Sequence, residues 1–172
     1  MNITQESEEM NTIGKYEKRD VVDLVRHWRS VFGLKLSDGR PSMPENDVIN
    51  SCVDLLNEEV DELMTALMEG NVREVKDGGA DVLFSLIQLM ECCNIDIKDV
   101  TEAVYESNMS KLCKTIDEAR NTVKAYGNGT HPNKPNEKID CYIQRNGSFW
   151  IVRRESDKKV MKSLSFQEPR FN

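Results

Sequence analysis

The stretch VREVKDGGADVLFSLIQLMECC, residues 72–93, constrains this chain more than any other, because a helix drawn through it has almost no polar face. Val82, Leu83, Leu86, Ile87, Leu89 and Met90 cover most of the circumference, and the polar residues Glu74, Asp77, Asp81, Ser85 and Gln88 are squeezed into one narrow stripe. A helix this apolar has to be central in its domain. The acids on its stripe then have little bulk water to rely on unless they line a cleft.

The flanking segments read as further helices. RDVVDLVRHWRSVFG (19–33) repeats apolar residues near helical spacing, and Gly33 can end it. After the loop LKLSDGRPSMPEND, Pro44 suits the first turn of a second helix running to Gly70. A fourth helix covers about 97–112. Thr115 with Glu118 forms a capping box, so TIDEARNTVKAYG is a fifth helix ending at Gly127. At GNGTHPNKPNEK the composition shifts to Gly, Asn and Pro, as in a linker. Beyond it β-branched and aromatic residues alternate around Asn146-Gly147, a hairpin signal. The expected fold is an all-α helical bundle with a small C-terminal β-hairpin or three-stranded meander, too small to fold unless it docks. The expected divisions are a mobile tail 1–17, a helical domain 18–126, a linker 127–138 and the β appendage 139–172.

Charge narrows the possible partners. Among 172 residues 31% are charged and the net charge is −7, the wrong sign for coating a nucleic-acid polymer. A single bound nucleotide is compatible with it, particularly where metal ions intervene. The N-terminal MNITQESEEMNTIGKYEKRD has no apolar core, so neither a signal peptide nor a membrane span is expected there. Five cysteines (Cys52, Cys92, Cys93, Cys113, Cys141) with no C-x-x-C pair argue against zinc and for reduced thiols in a cytoplasmic setting. The N-x-S/T triplets then carry no glycosylation meaning.

Winding the second helix at about 100° per residue places Val53, Leu56, Val60, Leu63 and Leu67 on one stripe. Val48, Cys52, Leu55 and Ala66 extend that arc. Glu59 falls inside the arc, Glu62 at its border and Glu58 just outside, whereas Asp54 and Asp61 point to solvent. Glu59 with Glu62, and Asp77 with Asp81, are like-charged pairs that need neutralising. Oxygen-only clusters suit Mg²⁺ or Mn²⁺, and Mg²⁺ usually keeps room for water and substrate phosphates. The competing reading leaves these acids partly exposed and paired with Arg73, Lys76 or Lys111.

EEVDE (Glu58 to Glu62) resembles the E-E-x-x-E signature, and DGGADVLFSLIQL the following E-x-x-D helix, of the all-α nucleoside triphosphate pyrophosphohydrolases. That superfamily includes MazG-like enzymes, dimeric dUTPases and phosphoribosyl-ATP pyrophosphohydrolases. AVYESNMSKL (Ala103 to Leu112) is similar to the E-V-H-x-S-N-M-S-K segment of the phosphoribosyl-ATP-pyrophosphohydrolase-like branch, as are VRHWRSVFG and RPSMP. The similarity spans about Val22 to Leu112. It implies that Glu59, Glu62 and Asp81 ligate Mg²⁺, that Glu58 handles the attacking water, and that Asn108 and Lys111 face nucleotide phosphates. It also implies a homodimer or dimer of dimers, pairing helical bundles across the interface. The expected activity is Mg²⁺-dependent α–β cleavage of a nucleoside or deoxynucleoside triphosphate, with nucleotide-pool cleaning as the role it would serve. The alternatives are phosphoribosyl-ATP hydrolysis and a non-catalytic helical dimer that binds a nucleotide or a partner.

One position departs from the signature. Gly78 stands where the acid of E-x-x-D belongs, so Asp77 is the expected fourth ligand and Glu74 the second candidate. A D-G-x-A-D arrangement also occurs in part of that branch. Trp28 reads as core rather than as a base-stacking ring, His27 as surface, His131 as a linker residue, Cys92-Cys93 as packing and RRESDKK as a solvated hairpin turn.

Overall fold

The computed structural model of the chain describes residues 20–171; the expected tail 1–17 lies outside them. Among the described residues, five helices, α1 (Val21–Val31), α2 (Asn46–Glu69), α3 (Val72–Cys92), α4 (Ile97–Met109) and α5 (Ile116–Asn128), precede two strands, β1 (Cys141–Asn146) and β2 (Phe149–Arg154). The fold is therefore the expected all-α bundle with a small C-terminal hairpin. The chain divides into two compact units, Met1–Lys98 and Asp99–Asn172.

In the first unit α2 and α3 pack against each other along their lengths, joined by a minimal turn. Gly70 ends α2 in the left-handed region at φ 68°, and Asn71 begins α3 by accepting the Glu74 N–H. Helix α1 starts on Asp20, whose carboxylate accepts the Val22 N–H at 2.8 Å. It lays Val22 and Val25 on Ile87 of α3, with Phe84 and Ile97 around them. Trp28 is half-buried, stacked on Phe32 at 4.7 Å and edge-on to Phe84 at 5.5 Å, as a core aromatic would be. His27 is exposed.

Two local expectations shift. Helix α2 starts at Asn46 behind Glu45, so Pro44 precedes the cap instead of filling the first turn; its fixed φ helps turn the chain into the helix without entering it. Ile49, Cys52, Leu56, Glu59 and Leu63 are half-buried and Ala66 is buried, whereas Val53, Val60 and Leu67 remain exposed at 39%, 38% and 52%. The face of α2 that packs is thus rotated away from the Val53–Val60–Leu67 stripe, and Glu59 lies in the packed row itself.

A buried ionic tie closes the end of the unit away from the Gly70 turn. The Glu91 side chain is fully buried; its Oε1 accepts from Arg26 Nε at 2.7 Å and its Oε2 from the Ser37 N–H at 2.9 Å. Arg26 also reaches Asp96 at 3.1 Å. Arg29, equally inward, donates to the Lys35 carbonyl and to Cys92 Sγ.

In the second unit the hairpin docks on α5. Cys113, Ala119, Tyr126, Val152 and Met161 form the core, flanked by Ile143 and Trp150. Strands β1 and β2 are antiparallel, with Asn146 facing Phe149. Gly147, at φ 57°, therefore takes the first place of the two-residue loop. Thr115 caps α5 by accepting the Glu118 N–H at 3.1 Å, and the Glu118 carboxylate returns to the Lys114 N–H at 2.8 Å, one residue before the usual capping-box partner. The helix runs past Gly127 and ends at Gly129, which takes the left-handed φ of 70°. His131 is buried, its imidazole stacked on Tyr126 at 3.9 Å. Its Nδ1 accepts the Asn133 N–H, leaving Nε2 near the Lys162 and Ser163 carbonyls without a well-formed bond. The RRESDKK turn pairs both of its acids internally: Arg154 grips Asp157 through two bonds, and Lys158 pairs with Glu155.

Candidate active site

Acids on α2 and α3 converge because two antiparallel helices share one packed row. Glu59 occupies a position in that row that an apolar residue would normally take. Burial against α3 raises its proton affinity first, and the carboxylates of Asp81, Glu62, Glu58 and Asp77 raise it further. Five acids from two helices thus lie within one electrostatic neighbourhood, which is the set singled out in the sequence. Glu58, Glu62, Asp77 and Asp81 are solvent-exposed around the half-buried Glu59.

Among the described residues, Arg73 and Lys76 make no ion pair with any of these acids. The charge therefore stays unneutralised by the cations next to it in sequence. Glu58 and Glu62 also line a groove of about 570 Å³, together with Asp61, Thr65, Ala66, Glu69 and Glu74. Glu74 belongs to this groove and is not among the carboxylates that act most strongly on Glu59. Asp61 is exposed and lines the same groove.

Gly78 has a packing role. It is buried, and a Cβ there would meet Leu63 Cα at 3.2 Å and Leu63 N and Cβ at 3.3 Å. The side-chain direction at position 78 points into the main chain of α2. The neighbouring Asp77 points elsewhere and keeps its carboxylate in the field of Glu59.

The donor set is chemically right for a hard divalent cation: oxygen ligands only, mutually repulsive, on two rigid helices. Among the described residues, no three His, Cys, Asp or Glu side chains stand close enough to enclose a metal ion as they are. A cation would have to draw these carboxylates inward by rotamer changes, which exposed side chains on fixed helices can make.

Asn108 and Lys111 belong to the second unit. Asn108 is the penultimate residue of α4, and Lys111 Nζ donates to Asn108 Oδ1 at 2.5 Å. The corner that carries them is clamped by the C-terminal segment. Ser107 Oγ donates to the Gln167 carbonyl at 2.8 Å, Ser110 Oγ accepts the Gln167 N–H at 2.9 Å, and Ser163 Oγ donates to the Ser110 carbonyl at 2.8 Å. This clamp was not foreseeable, since its partners lie more than fifty residues apart in an irregular segment.

Residues 25–108 match the family Phosphoribosyl-ATP pyrophosphohydrolase. The chain thus carries a pyrophosphohydrolase domain of the phosphoribosyl-ATP-pyrophosphohydrolase/MazG-like kind. The match begins in α1, takes in every acid of the α2–α3 cluster and ends on Asn108. The chain is also similar to an uncharacterized protein of Acanthamoeba polyphaga mimivirus. The two are 24% identical over 175 residues, which covers 89% of this chain and 69% of the viral protein. That likeness extends beyond the helical domain.

Proposed function

We propose that the chain is a Mg²⁺-dependent pyrophosphohydrolase that cleaves between the α- and β-phosphates of a triphosphate and releases pyrophosphate. The supporting observation is Glu59, an acid set into a helix–helix contact and surrounded by four other carboxylates. A helix pair gains nothing in stability from such a residue, so its place is accounted for by binding a cation.

Glu59, Glu62, Asp77 and Asp81 would hold the cation, with Glu74 as the substitute for Asp77. Mg²⁺, or Mn²⁺, when bound would neutralise phosphate oxygens and fix their orientation. Glu58, exposed beside this set, takes the role of accepting a proton from the attacking water at a carboxylate oxygen. The Lys111 ammonium, already bonded to Asn108 Oδ1, has two remaining donors, and the Asn108 amide NH₂ adds two more. Together they suit a phosphate's oxygens.

The family match favours phosphoribosyl-ATP as the substrate, with phosphoribosyl-AMP as the second product. Nucleoside and deoxynucleoside triphosphates present the same triphosphate to the same acids and form the second reading, to which nucleotide-pool cleaning belongs. Both are tested together by Mg²⁺-dependent turnover on phosphoribosyl-ATP and on a nucleotide panel in ¹⁸O-water. Pyrophosphate release with label in the monophosphate supports the reading. Orthophosphate alone, or no turnover on any substrate, overturns it and leaves a helical nucleotide- or partner-binding module.

The assembly we propose is a homodimer, or a dimer of dimers, formed through α2. Val53, Val60 and Leu67 recur every seven residues on its uncovered face, the spacing of a helix-to-helix seam. Light scattering on the full chain decides this, and a monomer at micromolar concentration rules it out. Among the described residues no helix is long and apolar enough to cross a membrane, and neither a membrane nor a nucleic-acid polymer enters the proposed reaction. A cytoplasmic setting fits a nucleotide substrate.

A further inference from the structure

Cys52 and Cys92 bring their sulfurs to 3.4 Å across the α2–α3 contact. All five cysteines are free thiols, and this pair is separated by forty positions in sequence. The two stand on the rigid helices at the end of the helix pair away from the Gly70–Asn71 turn, where no short connection holds α2 to α3. Both are half-buried, so a small oxidant can reach them.

We propose that Cys52 and Cys92 form a reversible, hydroperoxide-driven disulfide that ties α2 to α3 at the open end of their pair. A disulfide needs about 2.05 Å between sulfurs, so the two must approach by about 1.4 Å. Rotation about χ1 of two half-buried side chains supplies a movement of that size without separating the helices.

The order of events follows from the surroundings of each sulfur. Arg29 Nη1 donates to Cys92 Sγ at 3.6 Å, which sets a guanidinium directly beside that sulfur. Burial and the neighbouring Cys92 push the Cys52 thiol up to about 11, which keeps it protonated at neutral pH. Cys92 is therefore the attacking sulfur and Cys52 the resolving one. In the first step Cys92 sulfur forms a bond to the terminal oxygen of the hydroperoxide while the O–O bond breaks. The products are a sulfenic acid and an alcohol, or water from hydrogen peroxide, which takes up the thiol proton. In the second step Cys52 sulfur displaces the sulfenic oxygen, forming the S–S bond and releasing water. The two sulfurs together lose two electrons and the peroxide gains them.

The remaining thiols lack this arrangement. Cys93, adjacent to Cys92, is buried and offset by about a third of a turn. Cys113 is buried in the second unit against Thr122, and Cys141 lies in β1.

The test uses the full reduced chain treated with hydrogen peroxide, quenched by alkylation and mapped by mass spectrometry without reduction. The expected product links the Cys52 peptide to Cys92, with both thiols lost together. The thermal midpoint should rise by about 10 °C and fall back with dithiothreitol. C52S and C92S should each prevent the link, and C93S should leave it. A link through Cys93, a link between chains, or sulfinic acid at Cys92 beside a free Cys52 would each overturn the proposal. Mapping the wild-type chain alone already decides among these results, whether or not the variants fold.

Discussion

Gly78 lies directly against the main chain of Leu63, at a spacing that a single added carbon would bring to 3.2 Å from the Leu63 Cα. Position 78 is where the resemblance expects a metal-ligating acid, and the fold uses it to let two helices touch. Replacing Gly78 by Glu would therefore not restore a ligand. It would wedge α2 from α3 and should cost more than about 2 kcal/mol in chemical denaturation. Gly78→Ala combines a helix-propensity gain of about 1 kcal/mol with a comparable packing loss, and should fall near neutrality. A glutamate variant as stable as the parent would refute the packing role.

The raised proton affinity of Glu59 predicts a specific pH dependence. Its folded-state pKa lies above the unfolded one, so ionisation opposes folding. That penalty is fully present above the folded pKa and is relieved as pH falls through it toward the unfolded value. Glu59→Gln should raise the melting temperature of the metal-free protein at pH 7 by about 1–2 °C, a modest figure because neighbouring water screens the group. The difference should disappear near pH 4. Calorimetry at the two pH values checks both parts, and a loss of stability at pH 7 contradicts the assignment.

Mg²⁺ or Mn²⁺ should stabilise the chain by mass action, by about 2.7 kcal/mol at a hundred times its dissociation constant. Asp81→Asn should weaken this together with turnover. Glu58→Gln should spare the metal-dependent shift while lowering turnover by about 10²–10⁴-fold. Melting curves with and without EDTA, beside the pyrophosphate assay, separate holding the metal from handling the water.

Removing the Arg26 side chain strands a fully buried carboxylate with one remaining backbone donor, the Ser37 N–H. Arg26→Ala should cost about 2–3 kcal/mol, below the range for wholly buried pairs because the guanidinium is 28% exposed and water can follow it. Urea denaturation measures it, and a change under 1 kcal/mol would mean that Glu91 finds another partner.

His131 gives the second unit its own pH response. Burial lowers its pKa below 6.5, so the folded state favours the neutral ring. Its stability contribution is present above the unfolded pKa and is lost as pH falls through the depressed folded value. Below pH 6.5 the second unit should weaken progressively, and His131→Phe, which keeps the stack on Tyr126, should flatten that slope. Tryptophan fluorescence from Trp150 reports it.

Much of this architecture is legible without coordinates, because helical periodicity, the Thr115 cap and the glycine of the hairpin act locally. The packed face of α2 is not. Its apolar arc is broad enough to contain two rows, Cys52–Leu56–Leu63–Ala66 and Val53–Val60–Leu67, and only the partner helix selects the first. The acids follow the same division. Glu59 stands out in sequence because it interrupts an apolar arc, whereas Glu91, at the end of its helix, looks solvated until Arg26 arrives from sixty-five residues away. Gly78 did leave a signal, since a glycine in mid-helix gives up about 1 kcal/mol and commonly marks a close approach. His131 left none, because nothing local distinguishes a stacked linker histidine from an exposed one.

The Gly70–Asn71 turn has a consequence for how this domain can vary. Leu63 and Gly78 stand at equal sequence distances on either side of it, so the turn acts as a ruler that sets which residues of α2 and α3 meet. Adding one residue there would rotate α3 by about 100° relative to its partner. Gly78 would leave Leu63, the acids would leave Glu59, and Cys92 would leave Cys52 in one step. The length of this two-residue connection is thus as much a part of the site as any carboxylate, although neither residue carries a charge.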